Sequence, residues 1–207
     1  MPTNRIGMWA AFAVTVTGVA YGAALGIGFA VFGLSKPIVD PLLAIMEVLT
    51  MVSALLLLVM MSAVHSYALP EHKPISLVAF GLMLFATGLT CTVHFVELTA
   101  LRQLGTAGIV WPSVSYAVEL LAWNFLLGLS LLFASRVFVH GDHAARVRHG
   151  LTWCGALCLF GTIGPAVGNM RLQFIGVFGY AVVLPVVCLM LARLFRAESA
   201  SNSMASS

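Results

Sequence analysis

Residues 41–66, PLLAIMEVLTMVSALLLLVMMSAVHS, decide the fold class of this chain. The stretch contains one acidic residue, Glu47, and neither lysine nor arginine. A helix of this length spans the hydrocarbon core of a bilayer and satisfies its backbone hydrogen bonds internally. The stretch therefore predicts a transmembrane helix, and Asp40-Pro41 marks its start because proline is tolerated at the first helical position.

Comparable apolar runs fill the rest of the chain. Its 207 residues are 61% hydrophobic and 8% charged, with a mean hydropathy of +1.04, whereas soluble domains are about 25% charged. We expect spans at 8–34, 41–66, 75–101, 112–138, 150–168 and 172–196. The predicted fold is all-α, a polytopic membrane bundle of about six transmembrane helices. It forms a single domain over 1–198, followed by a disordered C-terminal tail at 199–207.

The distribution of basic residues predicts the orientation. With six spans, both termini lie on the same side as the loops at 67–74 and 139–149. That side carries Arg5, Lys73, Arg136, Arg146, Arg148, Arg193 and Arg196, and the other side carries Lys36, Arg102 and Arg171. This asymmetry predicts cytoplasmic termini in a bacterial inner membrane. Since no basic run is interleaved with aromatics, we expect membrane lipid as a partner and not nucleic acid.

The first span contains Gly18, Gly22 and Gly26 at four-residue spacing. A ridge of small residues lets a second helix approach closely. We favour packing within the bundle, and a homo-oligomer formed through the same ridge is the alternative.

Four ionisable residues are expected at one depth. Burying such a group in a membrane costs about 2.5–3.5 kcal/mol even on insertion scales, so each requires an explanation. From the ends of their spans, Glu47, His94, Glu97 and Glu119 lie about 9, 12, 8 and 10 Å into the bilayer. The second and fourth spans enter where the third leaves, so all four share one layer, in the outer leaflet under this orientation.

Other polar and aromatic residues follow the same helical faces. The expected substrate-binding residues are Glu97, Thr50, Thr90, Tyr116, Trp123 and Asn124, with Arg102, Asn169 and Arg171 at the outer rim. The inner halves of these helices are aliphatic. The pattern predicts a polar pocket with a hydrophobic floor.

Each ionisable residue also has a purely structural interpretation. Glu97 can pair with Arg102 near the helix end, and His94 can be a hydrogen-bonded core histidine. Three carboxyl groups and an imidazole at one depth, however, need protons, a cation or a ligand to compensate them. We therefore favour a functional site.

Three hypotheses follow for this pocket. The first is an acid–base enzyme of isomerase, cyclase or lyase type, acting without a cofactor on an isoprenoid, sterol-like or quinone-type substrate. Glu47 and Glu119 would be its acid and base, and His94 would relay the proton. The second is a component that binds or transports a small solute. The third is a metal site made from Glu47, His94, Glu97 and Glu119.

Four runs of the sequence resemble a group of uncharacterised bacterial six-span membrane proteins. They are DPLLAIMEVLT, CTVHFVELTALRQ, WPSVSYAVELLAWN and GNMRLQFIGVFGYAVVLPVVCL. The resemblance implies the fold and no activity. The mixture of intramembrane His, Glu, Asn and Trp is similar in kind to the emopamil-binding sterol isomerases, which have fewer spans and different spacing. The size and outward-facing pocket resemble the substrate-binding components of vitamin uptake transporters.

Overall fold

The computed structural model describes residues 3–33, 36–105 and 110–205, with backbone only for 201–205. These residues form helices and no strand, as the sequence predicts. The first four long helices are α1 (Thr3–Phe32), α2 (Leu42–Tyr67), α3 (Pro70–Leu101) and α4 (Val114–Ser135). They are followed by α5 (Asp142–Gly161), a short helix at Ile163–Ala166, and α6, whose consecutive segments are Met170–Phe178, Gly179–Val183 and Leu184–Ala205.

Five of the described helices, α1, α2, α3, α4 and α6, are long and apolar enough to cross a membrane. The first turns of α5 carry Asp142, Arg146 and Arg148, which lower its hydropathy. This helix nevertheless lies along α6, from Gly150 beside Val187 onward. The chain is thus a helical membrane bundle in which α5 is the least apolar member.

The largest differences between predicted and observed boundaries concern the fifth span and the tail. The fifth span was expected at 150–168, but α5 begins at Asp142 and ends at Gly161. Pro165 explains this end, because it has no N–H to donate to the carbonyl one turn earlier. The tail was expected to be disordered from 199, whereas the helical backbone continues to Ala205. Residues 206 and 207, and the predicted end of the first span at 34, lie outside the described residues.

Both chain ends lie at one end of the bundle. Gly7 near the start of α1 lies against Ala63 in the last turns of α2 and against Phe195 in α6. Tyr67 stacks on Phe138 at 5.6 Å between ring centroids and meets Phe195 edge-on at 6.0 Å. We call this the terminal end of the bundle and the opposite end the cavity end.

The terminal half of the bundle has an aliphatic and sulfur-containing core, as predicted for the floor. Its largest fully buried side chains include Leu57, Met60, Met61, Met83, Leu131, Leu151 and Leu191. Hydroxyl groups connect neighbouring helices here and beside the cavity. Among them, Ser53 donates to the Thr17 hydroxyl, and the carbonyl oxygens of Ala54, Ala79 and Pro185 accept from Thr87, Ser130 and Thr15 respectively. Such hydrogen bonds stabilise helix pairs in lipid, where water is absent.

Glycines allow close approach between helices at specific points. A Cβ atom at Gly155 of α5 would lie 2.7 Å from the Gly128 carbonyl oxygen of α4. On α1, a Cβ at Gly18 would lie 2.6 Å from Pro185 of α6. This close approach is the one expected if the glycine ridge packs within the bundle. By contrast, a Cβ at Gly26 would meet nothing within 4 Å among the described atoms. The ridge therefore packs inside the chain at Gly18, and the oligomer alternative remains a prediction.

We expect Gly155→Ala to destabilise the protein by about 1–3 kcal/mol, because the added methyl group forces α4 and α5 apart. Gly88→Ala is the matched control, since a Cβ at this exposed position of α3 meets nothing within 4 Å. Reversible unfolding in mixed micelles measures both variants. Equal stability of the two variants would contradict the close α4–α5 contact.

Candidate functional site

A cavity of about 800 Å³ opens toward the cavity end of the bundle. Its walls come from α1, α2, α3, α4 and α6, together with the connecting stretch 36–40. Glu47, His94, Glu97 and Glu119 all line it, so the predicted shared layer faces the bundle interior. This position agrees with the energetic argument, because lipid offers these groups no partner.

His94 and Glu119 form a hydrogen-bonded pair inside the cavity. His94 Nε2 lies 2.9 Å from Glu119 Oε1, joining α3 to α4. The imidazole is 6% exposed and the carboxyl group 14% exposed. Their other polar atoms, His94 Nδ1 and Glu119 Oε2, have no hydrogen-bond partner among the described residues. The pair therefore has unused donor and acceptor capacity within the bundle.

Glu47 adds a second carboxyl group from α2. The residue is 3% exposed, and its Oε2 atom has no hydrogen-bond partner in the described part of the chain. Thr50, one turn later, also lines the cavity and donates its hydroxyl to the Met46 carbonyl oxygen at 2.8 Å. A buried carboxyl oxygen without a partner is costly, so this position favours a ligand or a proton.

Three helices widen into π-helical turns beside the cavity. These turns are Glu97–Leu101 in α3, Leu121–Leu126 in α4 and Gly179–Val183 in α6. They contain the cavity-lining residues Glu97, Trp123 and Tyr180. Turns of this kind are rare and often occur at functional sites. In α6 the turn ends two residues before Pro185, and a proline within a helix kinks it.

Aromatic rings form part of the wall. Tyr116 and Trp123, both predicted, line the cavity with Tyr21 and Tyr180. The Trp123 and Tyr180 rings lie 5.4 Å apart, and Gln173 Nε2 lies 3.5 Å from the Tyr180 hydroxyl. Sequence reasoning missed Tyr21 and Tyr180. A tyrosine within an apolar span was the available signal, because its hydroxyl group needs a partner there.

Four predicted site residues do not line the cavity: Thr90, Asn124, Asn169 and Arg171. Thr90 is buried in the packing of α3. Asn124 is fully buried among α4, α5 and α6, and a Cβ at Gly176 would lie 2.7 Å from its Oδ1. Because Asn124 directly follows Trp123, the two side chains point in different directions around the helix.

Asn169 and Arg171 lie at the start of α6. The Asn169 side chain accepts a hydrogen bond from the Arg171 backbone N–H at 3.2 Å, capping this helix. Both residues are exposed, and Met170 between them lines the cavity. Capping accounts for Asn169, and the rim position of the pair stays a prediction.

The mouth of the cavity is marked by an ion pair. Arg102 lies there as predicted, and it donates from Nε to Asp40 Oδ2 at 2.8 Å and from a second nitrogen to Oδ1. The hydrogen bond from Arg102 lowers the pKa of Asp40 below its ordinary value. Asp40, the residue before Pro41, thus connects the start of α2 to the end of α3.

The described residues do not support the hypothesis of a metal site. Within residues 3–33, 36–105 and 110–205, no three His, Cys, Asp or Glu side chains are grouped so that they could hold a metal ion. Glu47, His94, Glu97 and Glu119 share a cavity without forming a ligand set.

We predict that Arg102→Gln returns the pKa of Asp40 toward its ordinary value. With Arg102 present, the ion pair stabilises the fold above the ordinary pKa of aspartate and loses this effect as pH falls through the lowered pKa. The chain contains two aspartates, so labelled Asp40 can be followed by carboxyl NMR with Asp142 as the internal control. An identical Asp40 titration in both proteins would contradict the pairing.

Comparison of the chain with family models, curated proteins and solved structures finds no match. The function is therefore inferred from the geometry of the cavity.

Proposed function

We propose that this protein is an intramembrane enzyme that moves protons on a lipophilic substrate of isoprenoid, sterol-like or quinone type. The observation that carries the proposal is the hydrogen-bonded His94–Glu119 pair, buried in a cavity that also contains the unpartnered Glu47 oxygen. Two acid–base groups reaching one cavity from different helices are what a proton-transfer isomerisation requires.

The reaction class follows from the available groups. An isomerisation adds a proton at one substrate atom and removes one at another. It therefore needs an acid and a base, and the substrate neither gains nor loses protons overall. The His94–Glu119 pair supplies one of these groups, because imidazole holds a proton that the carboxylate orients. Glu47 supplies the other from α2. Cyclisation by protonation would use the same groups.

The shape of the cavity supports a lipophilic substrate. A volume of about 800 Å³ lies within the usual range for small-molecule sites. Its floor is made by apolar residues of three helices, Val14, Leu57 and Leu184. The rings of Tyr116 and Trp123 can stabilise positive charge that develops on a protonated substrate.

A solute-binding or transport component is the second candidate. The mouth residues Asp40, Arg102 and Lys36 favour it, because they give the cavity a polar opening. Under this alternative a polar solute would bind and be recovered without chemical change.

For the membrane and the orientation we propose a bacterial inner membrane with both termini in the cytoplasm. The support is that seven of the ten Lys and Arg residues belong to the terminal side of the chain. Two reporter fusions at the C-terminus test this assignment. A reporter that is active only in the cytoplasm should give a signal, and one that is active only outside the inner membrane should not.

We expect Glu119→Gln and Glu47→Gln each to lower turnover by about 10²–10⁴-fold, because the amide keeps the size but cannot donate or accept the proton. Membranes containing the protein are incubated in D₂O, and lipids are examined for incorporated deuterium by mass spectrometry. The matched control is Glu71→Gln in the exposed turn that begins α3, which should retain full incorporation. Full incorporation by both cavity variants would overturn the proposed function.

A further inference from the structure

The cavity continues sideways between α1 and α6. Near the middle of the bundle these helices are in close contact, with Thr15 Oγ1 donating to the Pro185 carbonyl oxygen at 3.1 Å and Gly18 against the Pro185 ring. One turn later, a Cβ at Gly22 would meet only the Ala181 oxygen, at 3.9 Å. Among the described residues, α1 packs on α6 from Gly179 onward and makes no comparable packing with Met170–Phe178.

This divergence leaves an apolar cleft that joins the cavity. Its sides are Leu25 and Phe29 of α1 and Phe174 and Val177 of α6, all of which line the cavity. Phe174 is 47% exposed, and a bilayer would surround it with acyl chains. A hydrocarbon tail can therefore lie in the cleft with one end in the cavity and the other in lipid.

The polar part of the cavity has acidic character. Glu47, Glu97 and Glu119 supply three carboxyl groups to its interior, beside one imidazole. Both cationic side chains of the described lining, Lys36 and Arg102, belong to the mouth, and Arg102 is bonded to Asp40.

Several buried atoms of residues that line this interior are without hydrogen-bond partners in the described part of the chain. Glu47 Oε2 and Glu119 Oε2 are acceptors, and Glu47 is 97% buried. His94 Nδ1 and the Trp123 indole N–H are also unpartnered. The two carboxyl oxygens, in an acidic and ring-lined interior, match an ammonium group, which donates hydrogen bonds and is attracted to carboxylates and aromatic faces.

We propose that the ligand is a single-chain amphiphile with a protonated amine head. Its head lies near Glu47 and the His94–Glu119 pair, and its tail leaves the bundle between α1 and α6. Carboxylate or phosphate heads are excluded because they would face like charges. This inference rests on the proposed function for the location of the site. It narrows the proposed lipophilic substrates to single-chain molecules of isoprenoid type that carry an amine, and it adds their route from the bilayer.

The head is tested with three probes of equal chain length: N,N-dimethyldodecylamine, dodecan-1-ol and dodecanoate. Radiolabelled probe is equilibrated with the full-length protein in nanodiscs, and binding to empty nanodiscs is subtracted. We expect saturable binding of the amine that is at least about tenfold tighter than that of the alcohol, and no saturable binding of dodecanoate. Glu47→Gln should weaken amine binding about tenfold, whereas Glu71→Gln should not change it.

The tail is tested by a matched pair of tryptophan substitutions in α6. Val177→Trp places an indole in the cleft and should reduce amine binding at least about fivefold. Val182→Trp, at a 50% exposed position outside the cavity lining, should leave binding unchanged. Leu25→Trp fills the cleft from the α1 side and provides a second variant if Val177→Trp does not fold, as judged by its gel-filtration profile.

The outcomes separate this inference from the proposed function. Equal affinity for amine and alcohol, or tight binding of dodecanoate, would overturn the amine head. Unchanged amine binding by both folded cleft variants would overturn the route between α1 and α6. Absence of deuterium incorporation together with the expected amine binding would overturn the enzyme proposal and leave the ligand class supported.

Discussion

A bilayer offers no hydrogen-bond partner to a carboxyl group or an imidazole, and the rest of this structure depends on that constraint. Three glutamates and a histidine within apolar helices can be accommodated only where their side chains face other helices and not lipid. The His94–Glu119 contact joins α3 to α4 at this point, and Glu47 faces the same space from α2. The bundle is consequently divided into a polar half around a cavity and an apolar half filled by buried aliphatic and sulfur-containing side chains.

The helices of the apolar half are in close contact. Gly7 against Ala63 and Phe195, and the aromatic cluster of Tyr67, Phe138 and Phe195, hold them together at the terminal end. Toward the cavity end, π-helical turns widen three helices and α1 separates from the start of α6. The candidate ligand site thus lies beside widened helical turns, next to a core of buried aliphatic and sulfur-containing side chains. This arrangement allows a cavity in a chain of modest size.

Several site residues could be predicted because depth follows from counting residues along a helix. Glu47, His94, Glu97 and Glu119 were each located from the nearest span end at a fixed rise per residue, and all four line the cavity. Thr90, Asn124, Asn169 and Arg171 were assigned from shared helical faces or proximity to the rim, and they are not part of the cavity lining. A π-helical turn at Leu121–Leu126 changes the direction of the side chains around it, and no regular periodicity indicates where such a turn occurs.

The sequence by itself determined the fold class, the number of long apolar helices to within one, and the shared depth of the ionisable residues, because these depend on composition and helical rise. Only the tertiary structure decided that Arg102 pairs with Asp40, that Asn124 lies against α5 and α6, and that Tyr21, Gln173 and Tyr180 face the cavity. It also decided where α1 and α6 separate. These features depend on the rotation of each helix and on contacts between distant segments, which local pattern does not specify.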